Sequence, residues 1–149
     1  MASFVAAAPG FSEASLLPVY GLAEATLGVS APPLGSVPLV RHVDSAALTE
    51  HGRAVDVPFG ARGSRDLVSI GNPLRGVSIE IRLASGEVAA QDQVGEICVK
   101  SDFVMSGYVD DPATTESVVR DGWIHTGDLC FVGEGGLFIC GRCKDLIIV

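Results

Sequence analysis

The segment from Gly122 to Asp145 constrains the fold more than any other. Two short apolar runs, Leu129 to Val132 and Leu137 to Cys140, flank Gly133-Glu134-Gly135-Gly136. Apolar runs of strand length around residues that tolerate positive φ predict a β-hairpin. A hairpin returns the chain to the end it started from, so Asp128 before it and Arg142 after it should emerge together. A carboxylate can grip vicinal hydroxyls, and a guanidinium can bind phosphate or hydroxyl. Side by side they suit the edge of a nucleotide site.

Composition removes several alternatives. A chain of 149 residues is the size of one domain and can bury a core. With 48% hydrophobic residues and clear turn punctuation it is not disordered by composition. A net charge of −8 argues against a nucleic-acid partner, which needs a basic face. No apolar run approaches the roughly 18 residues that suggest a membrane span. Met1 to Ala8 is apolar but lacks the cationic start of a signal peptide, so none is expected. The cysteines are Cys98, Cys130, Cys140 and Cys143. Cys140 and Cys143 have the spacing of a metal or redox pair, but no second pair completes a zinc site. Free thiols in a reducing cytoplasm are the preferred reading.

Along the chain, Ser12 can cap a turn ended by Pro18. Val19 to Gly21 reads as a brief strand, followed by a helix start over Leu22 to Leu27. Without further context Tyr20 is a half-buried loop aromatic and Glu24 a first-turn helix carboxylate. Gly28 to Asp66 is irregular, with strand-like pieces at Val37 to Val43 and Arg53 to Val57 and a capped turn at Asp44 to Leu48. From Gly76, Val77, Ile79, Ile81 and Leu83 alternate with polar residues, as in a strand with one buried face. Gly95 to Lys100 repeats that pattern, with Glu96 outward and structural. Asp111 and Pro112 open a helix expected to run through Arg120 to Gly122. Trp123 to Thr126 is a strand leading to Gly127-Asp128, where His125 is taken as a positioning or packing residue.

Four stretches carry a resemblance. Trp123-Ile124-His125-Thr126-Gly127-Asp128-Leu129 and Gly141-Arg142-Cys143-Lys144-Asp145-Leu146-Ile147-Ile148 resemble two core motifs of the adenylate-forming superfamily. Tyr20-Gly21-Leu22-Ala23-Glu24-Ala25-Thr26-Leu27 is similar to a third, and Val94 to Val99 with Ser106-Gly107-Tyr108 to a fourth. The resemblance implies an α/β, β-rich fold: the C-terminal part of the large N-terminal domain of such an enzyme, with a distorted β-barrel-like subdomain. It divides the chain into the end of a nucleotide-binding subdomain (1–27), an insertion-like segment (28–66), a β-rich subdomain (67–144) and the truncated start of a missing C-terminal domain (145–149).

The same resemblance implies roles. Tyr20 would pack on the adenine of ATP, Gly21 and Ala23 would also belong to the cofactor site, and Glu24 would be a catalytic ligand of Mg2+. Asp128 would hold the ribose, joined there or at a phosphate by Arg142, and Lys144 would be the hinge. Ala23 stands where a threonine is common. That wording, and the length of segment 28–66, resemble fatty-acyl-AMP ligases more than acyl-CoA synthetases. Such an enzyme activates a fatty acid with ATP, giving acyl-adenylate and pyrophosphate, then passes the acyl group to an acyl-carrier protein or polyketide synthase. Coenzyme A is the alternative acceptor, and a non-catalytic nucleotide-binding or interaction module the alternative function. No phosphate loop precedes Tyr20 and no lysine-bearing C-terminal domain follows, so the isolated chain is expected to be inactive.

Overall fold

The computed structural model describes residues 10–145. Leu146 to Val149, in the segment expected to begin a C-terminal domain, and the apolar start, Met1 to Ala8, lie outside the described residues. The Ser12 hydroxyl accepts the Ala14 amide and opens a 3-10 turn, Glu13–Ser15.

Strands β1 (Tyr20–Leu22) and β2 (Leu27–Ala31) pair antiparallel, where a helix was expected from Leu22 to Leu27. A 3-10 turn, Ala23–Ala25, joins them, and Thr26 and Leu27 adopt φ of 53° and 91°. Six residues are too few to sustain a helix on propensity alone. Packing in the core with Ile70, Ile81 and Ile97 also buries Ala25 and Val29 almost completely, and that decides the conformation.

Strand β3 (Val40–Asp44) runs into helix α1 (Ser45–Glu50), whose Ala47 amide is capped by the Asp44 carboxylate. Strand β4 (Ser64–Val68) returns antiparallel to β3. The strand-like Arg53 to Val57 makes only single bridges, Arg53 to Gln93 and Asp56 to Val43. Strand β5 (Asn72–Pro73) pairs with the edge of β2, a position proline tolerates.

The principal sheet holds β6 (Val77–Arg82) and β7 (Gly95–Ser101), which pair as the alternation predicts. Next come helix α2 (Pro112–Val118), β8 (Val119–Arg120), β9 (Trp123–Gly133) and β10 (Gly136–Arg142). All neighbours are antiparallel in the order β10-β9-β7-β6, with β8 on β9, and the sheet curls into a half-barrel. The α2 helix stops at Val118, two residues short of expectation. Asp121 and Gly122, at φ of 52° and 77°, form a two-residue hairpin loop that folds Arg120 back onto Trp123. The β9–β10 turn is also tight: Gly133 pairs with Gly136, leaving Glu134-Gly135 as the loop.

The β9–β10 hairpin divides two cores. Cys130 and Leu137 pack with Val29, Ile70, Ile81, Ile97 and Val99. Phe131 and Phe138, stacked at 5.1 Å, pack with Val43, Leu48 and Leu67 beneath β3 and α1. The Arg41 guanidinium lies over both rings, at 5.3 and 5.6 Å, and pairs with Asp56 and Asp92. All four cysteines are free thiols. Burial pushes Cys130 up to about 12 and Cys98 and Cys140 up to about 11. Among the described residues no helix is long and apolar enough to cross a membrane.

Candidate functional site: a bulged strand and a carboxylate

β9 does not run straight. Glu96 of β7 faces Leu129 and Cys98 faces His125, so Ile97 alone stands opposite Thr126, Gly127 and Asp128. Surplus residues in one strand make a bulge, which bends the strand and re-aims its side chains. Gly127 takes φ of 74°, a conformation that favours glycine. Side chains replace the missing ladder bonds. The Gly127 amide donates to Glu96 Oε1 at 2.9 Å, the Thr126 hydroxyl donates to the Ile97 carbonyl at 2.9 Å, and the Asp128 amide donates to Thr126 Oγ1 at 3.1 Å. The second Glu96 oxygen lies 2.9 Å from His125 Nδ1, itself 3.5 Å from Cys98 Sγ.

The bulge carries Asp128 to one end of the hairpin, where the register pairs it with Arg142. Arg142 Nε donates to Asp128 Oδ1 at 2.6 Å, and the Tyr20 hydroxyl donates to Oδ2 at 2.7 Å. The Asp128 side chain is 16% exposed and that of Arg142 is 64% exposed, so the carboxylate is sheltered and the cation open to solvent. Burial, and then the neighbouring Asp128 carboxylate, hold the Tyr20 phenol well above its ordinary range. Tyr20, 108 positions before Asp128, thus joins the hairpin pair Asp128 and Arg142 in one cluster.

Glu24 sits on the 3-10 turn after β1, and the Tyr108 hydroxyl donates to its Oε1 at 2.7 Å. That bond raises the Tyr108 phenol above its ordinary value. Met105 donates its amide to the Glu24 carbonyl, and Thr26 donates its hydroxyl to the Phe103 carbonyl at 2.6 Å. The loop before α2 is thereby tied to the β1–β2 turn. Glu24, Tyr108, His125, Thr126, Asp128 and Arg142 line one small cleft of about 90 Å³. A half-buried carboxylate on such a cleft suits magnesium, which binds through one or two carboxylates and keeps water or phosphate oxygens.

The other expected residues stand apart. A Cβ at Gly21 would collide with the Leu27 carbonyl, so this glycine serves the close approach of β1 and β2. Ala23 is exposed at the start of the turn. Lys144 is exposed in the 3-10 turn Cys143–Asp145, beyond Arg142, and is not among the residues lining the cleft. A larger cavity of about 740 Å³ opens beside α1 and the end of β10, with Leu48, Arg65, Arg82, Glu96 and Cys140 in its wall. Asp128, Tyr20 and Glu24 do not line it.

Two residues of the fourth motif, Tyr108 and Glu96, make contacts that the sequence did not assign. Tyr108 lies 84 positions from Glu24, and no periodicity links them. Glu96 reads as an outward residue of an alternating strand, and only the bulge opposite gives its carboxylate something to hold. The Gly127 interruption of β9 was the available signal.

Comparison with known proteins identifies the family and the fold. The family model for AMP-binding enzymes matches residues 1–109. The chain is 37% identical over 155 aligned residues to the long-chain-fatty-acid–AMP ligase FadD26 of Mycobacterium tuberculosis, covering 93% of this chain and 26% of that protein. It is 39% identical over 113 residues to the 4-coumarate–CoA ligase-like protein 6 of Oryza sativa, covering 74% of this chain and 19% of the relative. Its fold matches a fatty acyl-adenylate ligase of L. pneumophila solved with acyl adenylate and pyrophosphate, with a TM-score of 0.82 and 35% identity over 93% of this chain and 25% of that one. The chain spans about a quarter of the length of such relatives. With the four motifs, the curled sheet and the family match in agreement, the chain belongs to the family of AMP-binding enzymes.

Proposed function

We propose that this chain supplies the nucleoside edge of an ATP-dependent ligase that activates a fatty acid as its acyl-adenylate. Asp128 accepts the ribose hydroxyls, Arg142 reaches the ribose or a phosphate, and Tyr20 offers its ring face to adenine. Glu24, released by Tyr108, takes Mg2+, whose charge offsets that of the phosphates. Lys144 is the hinge at the boundary with a mobile C-terminal domain. In this reading residues 1–27 close a nucleotide-binding subdomain, 28–66 form the insertion, and 67–144 the β-rich subdomain. The acyl group passes to an acyl-carrier protein or polyketide synthase in the reducing cytoplasm that four free thiols suit, with coenzyme A as the competing acceptor.

One observation carries this reading: both oxygens of the sheltered Asp128 carboxylate already accept hydrogen bonds at 2.6 and 2.7 Å, from Arg142 and Tyr20. A carboxylate preorganised in that way can grip a diol without first finding its own orientation. A cleft of about 90 Å³ is well below the roughly 300–1,000 Å³ of enclosed small-molecule sites, so it takes one side of a nucleotide. Spanning a quarter of its relatives, the chain alone is expected to bind without turnover.

Calorimetric titration of the chain with AMP and with a non-hydrolysable acyl-adenylate analogue tests this. Saturable binding of both, lost in Asp128→Ala, is the expected result. Binding unchanged in Asp128→Ala would overturn the assignment. AMP binding without any gain from the acyl group would favour the non-catalytic module.

A further inference from the structure

We infer that Glu96 is a positioning residue for the ribose carboxylate: it staples the β9 bulge that presents Asp128. This deepens the nucleotide reading above and rests on it. Opposite Ile97 the β7–β9 ladder loses its register, so Thr126, Gly127 and Asp128 must be held on that side by something other than pairing with β7, although Asp128 keeps its partner Arg142 in β10. A bulge left unsatisfied would leave the Gly127 amide without a partner in a sheltered place, which the sheet would avoid by re-forming the straight ladder. A one-residue slip of β9 reverses every side chain beyond it, including Asp128.

Glu96 prevents that slip. Its backbone stays in β7, paired with Arg82 on one side and Leu129 on the other, so its Cα is fixed by the sheet. From there one carboxylate oxygen accepts the Gly127 amide and the other meets His125 Nδ1, clamping the residues on either side of Thr126. Thr126 provides the second staple, to the Ile97 carbonyl and the Asp128 amide. The Asp128 backbone is thus fixed directly by Thr126 and the hairpin, and by Glu96 through Gly127. A charged acceptor on a backbone amide is stronger than a neutral one, which suits a staple that must outweigh a regular ladder.

The group that would sense a misplaced Asp128 is the ribose diol, so the test compares AMP with 2′,3′-dideoxy-AMP. The native chain should prefer AMP by at least about tenfold, since the dideoxy nucleotide lacks both hydroxyls that Asp128 accepts and one lost charge-assisted hydrogen bond already implies that much. Asp128→Ala should abolish the preference. Glu96→Ala should reduce it to near unity while leaving dideoxy-AMP affinity unchanged, and Glu96→Gln, whose amide oxygen still accepts the Gly127 N–H, should restore most of it. Fluorescence of Trp123, the chain's single tryptophan, reports whether each variant is folded. If Glu96→Ala does not fold, the same comparison is made with Thr126→Val against Thr126→Ser, with loss expected in the first and rescue in the second. A native preference for AMP in Glu96→Ala alongside its loss in Asp128→Ala would overturn the positioning role and leave the nucleotide reading standing. A native chain that does not distinguish the two nucleotides would overturn both.

Discussion

At the scale of single residues, hydrogen bonds decide what each site residue can do. The Tyr20 phenol is held protonated by burial and by Asp128, so folding keeps a proton that the unfolded chain gives up near pH 10. A raised folded value means that this stabilisation is complete below about pH 10 and is lost as pH rises further. Tyr20→Phe should remove that part of the alkaline dependence and cost about 1 kcal/mol at neutral pH, read from urea unfolding. Gly127 can be tested in the same way. Its φ of 74° disfavours any other residue, yet nothing lies within 4 Å of an added Cβ. Gly127→Ala should therefore cost only about 1 kcal/mol and leave the fold intact. Gly136, whose Cβ would meet the Gly71 carbonyl, should not tolerate alanine at all, and Gly136→Ala should yield little folded protein.

At the scale of elements, alternation and turn chemistry carried most of the information. The β6 and β7 strands, the Asp44 and Asp111 caps and the β9–β10 hairpin were legible because their signals are local. The Asp121-Gly122 turn was legible in principle, since that dipeptide favours hairpins, but the helical start at Pro112 masked it. The β1–β2 hairpin was not legible. Six residues from Leu22 to Leu27 read as a helix locally, and only the burial of Ala25 and Val29 against distant strands reverses that. The Asp128–Arg142 pairing followed from the hairpin, whereas the Tyr20 and Tyr108 contacts depend on tertiary packing. Arg41 shows how strongly such packing binds elements together: its guanidinium joins β3 to the β9–β10 hairpin over two phenylalanines. Its side chain is 11% exposed, and Asp92 is partly sheltered, so Arg41→Ala should cost about 2 kcal/mol, measured by thermal unfolding. Phe138→Ala should cost more, about 3–5 kcal/mol, because it opens a cavity in the second core.

At the scale of the whole molecule, the curled sheet brings the β1–β2 turn, the loop before α2 and the β9 bulge around one cleft. Its thiols report whether that arrangement is intact. Cys98, Cys130 and Cys140 are buried and Cys143 is exposed, so one thiol should react quickly with a disulfide reagent and three only on unfolding. A fast-reacting Cys130 would contradict the packing of the first core, and a fast-reacting Cys140 that of the second. Backbone amide shifts of the labelled chain, recorded as AMP is added, show whether the nucleoside binds at the bulged end of the hairpin. Binding there gives the largest changes at Gly127 and Asp128, with smaller ones at Glu24 and Tyr108, while Arg142, which lines both cavities, shifts in either case. Shifts concentrated instead around Leu48, Arg65 and Cys140, in the wall of the larger cavity, would contradict that placement of the nucleoside.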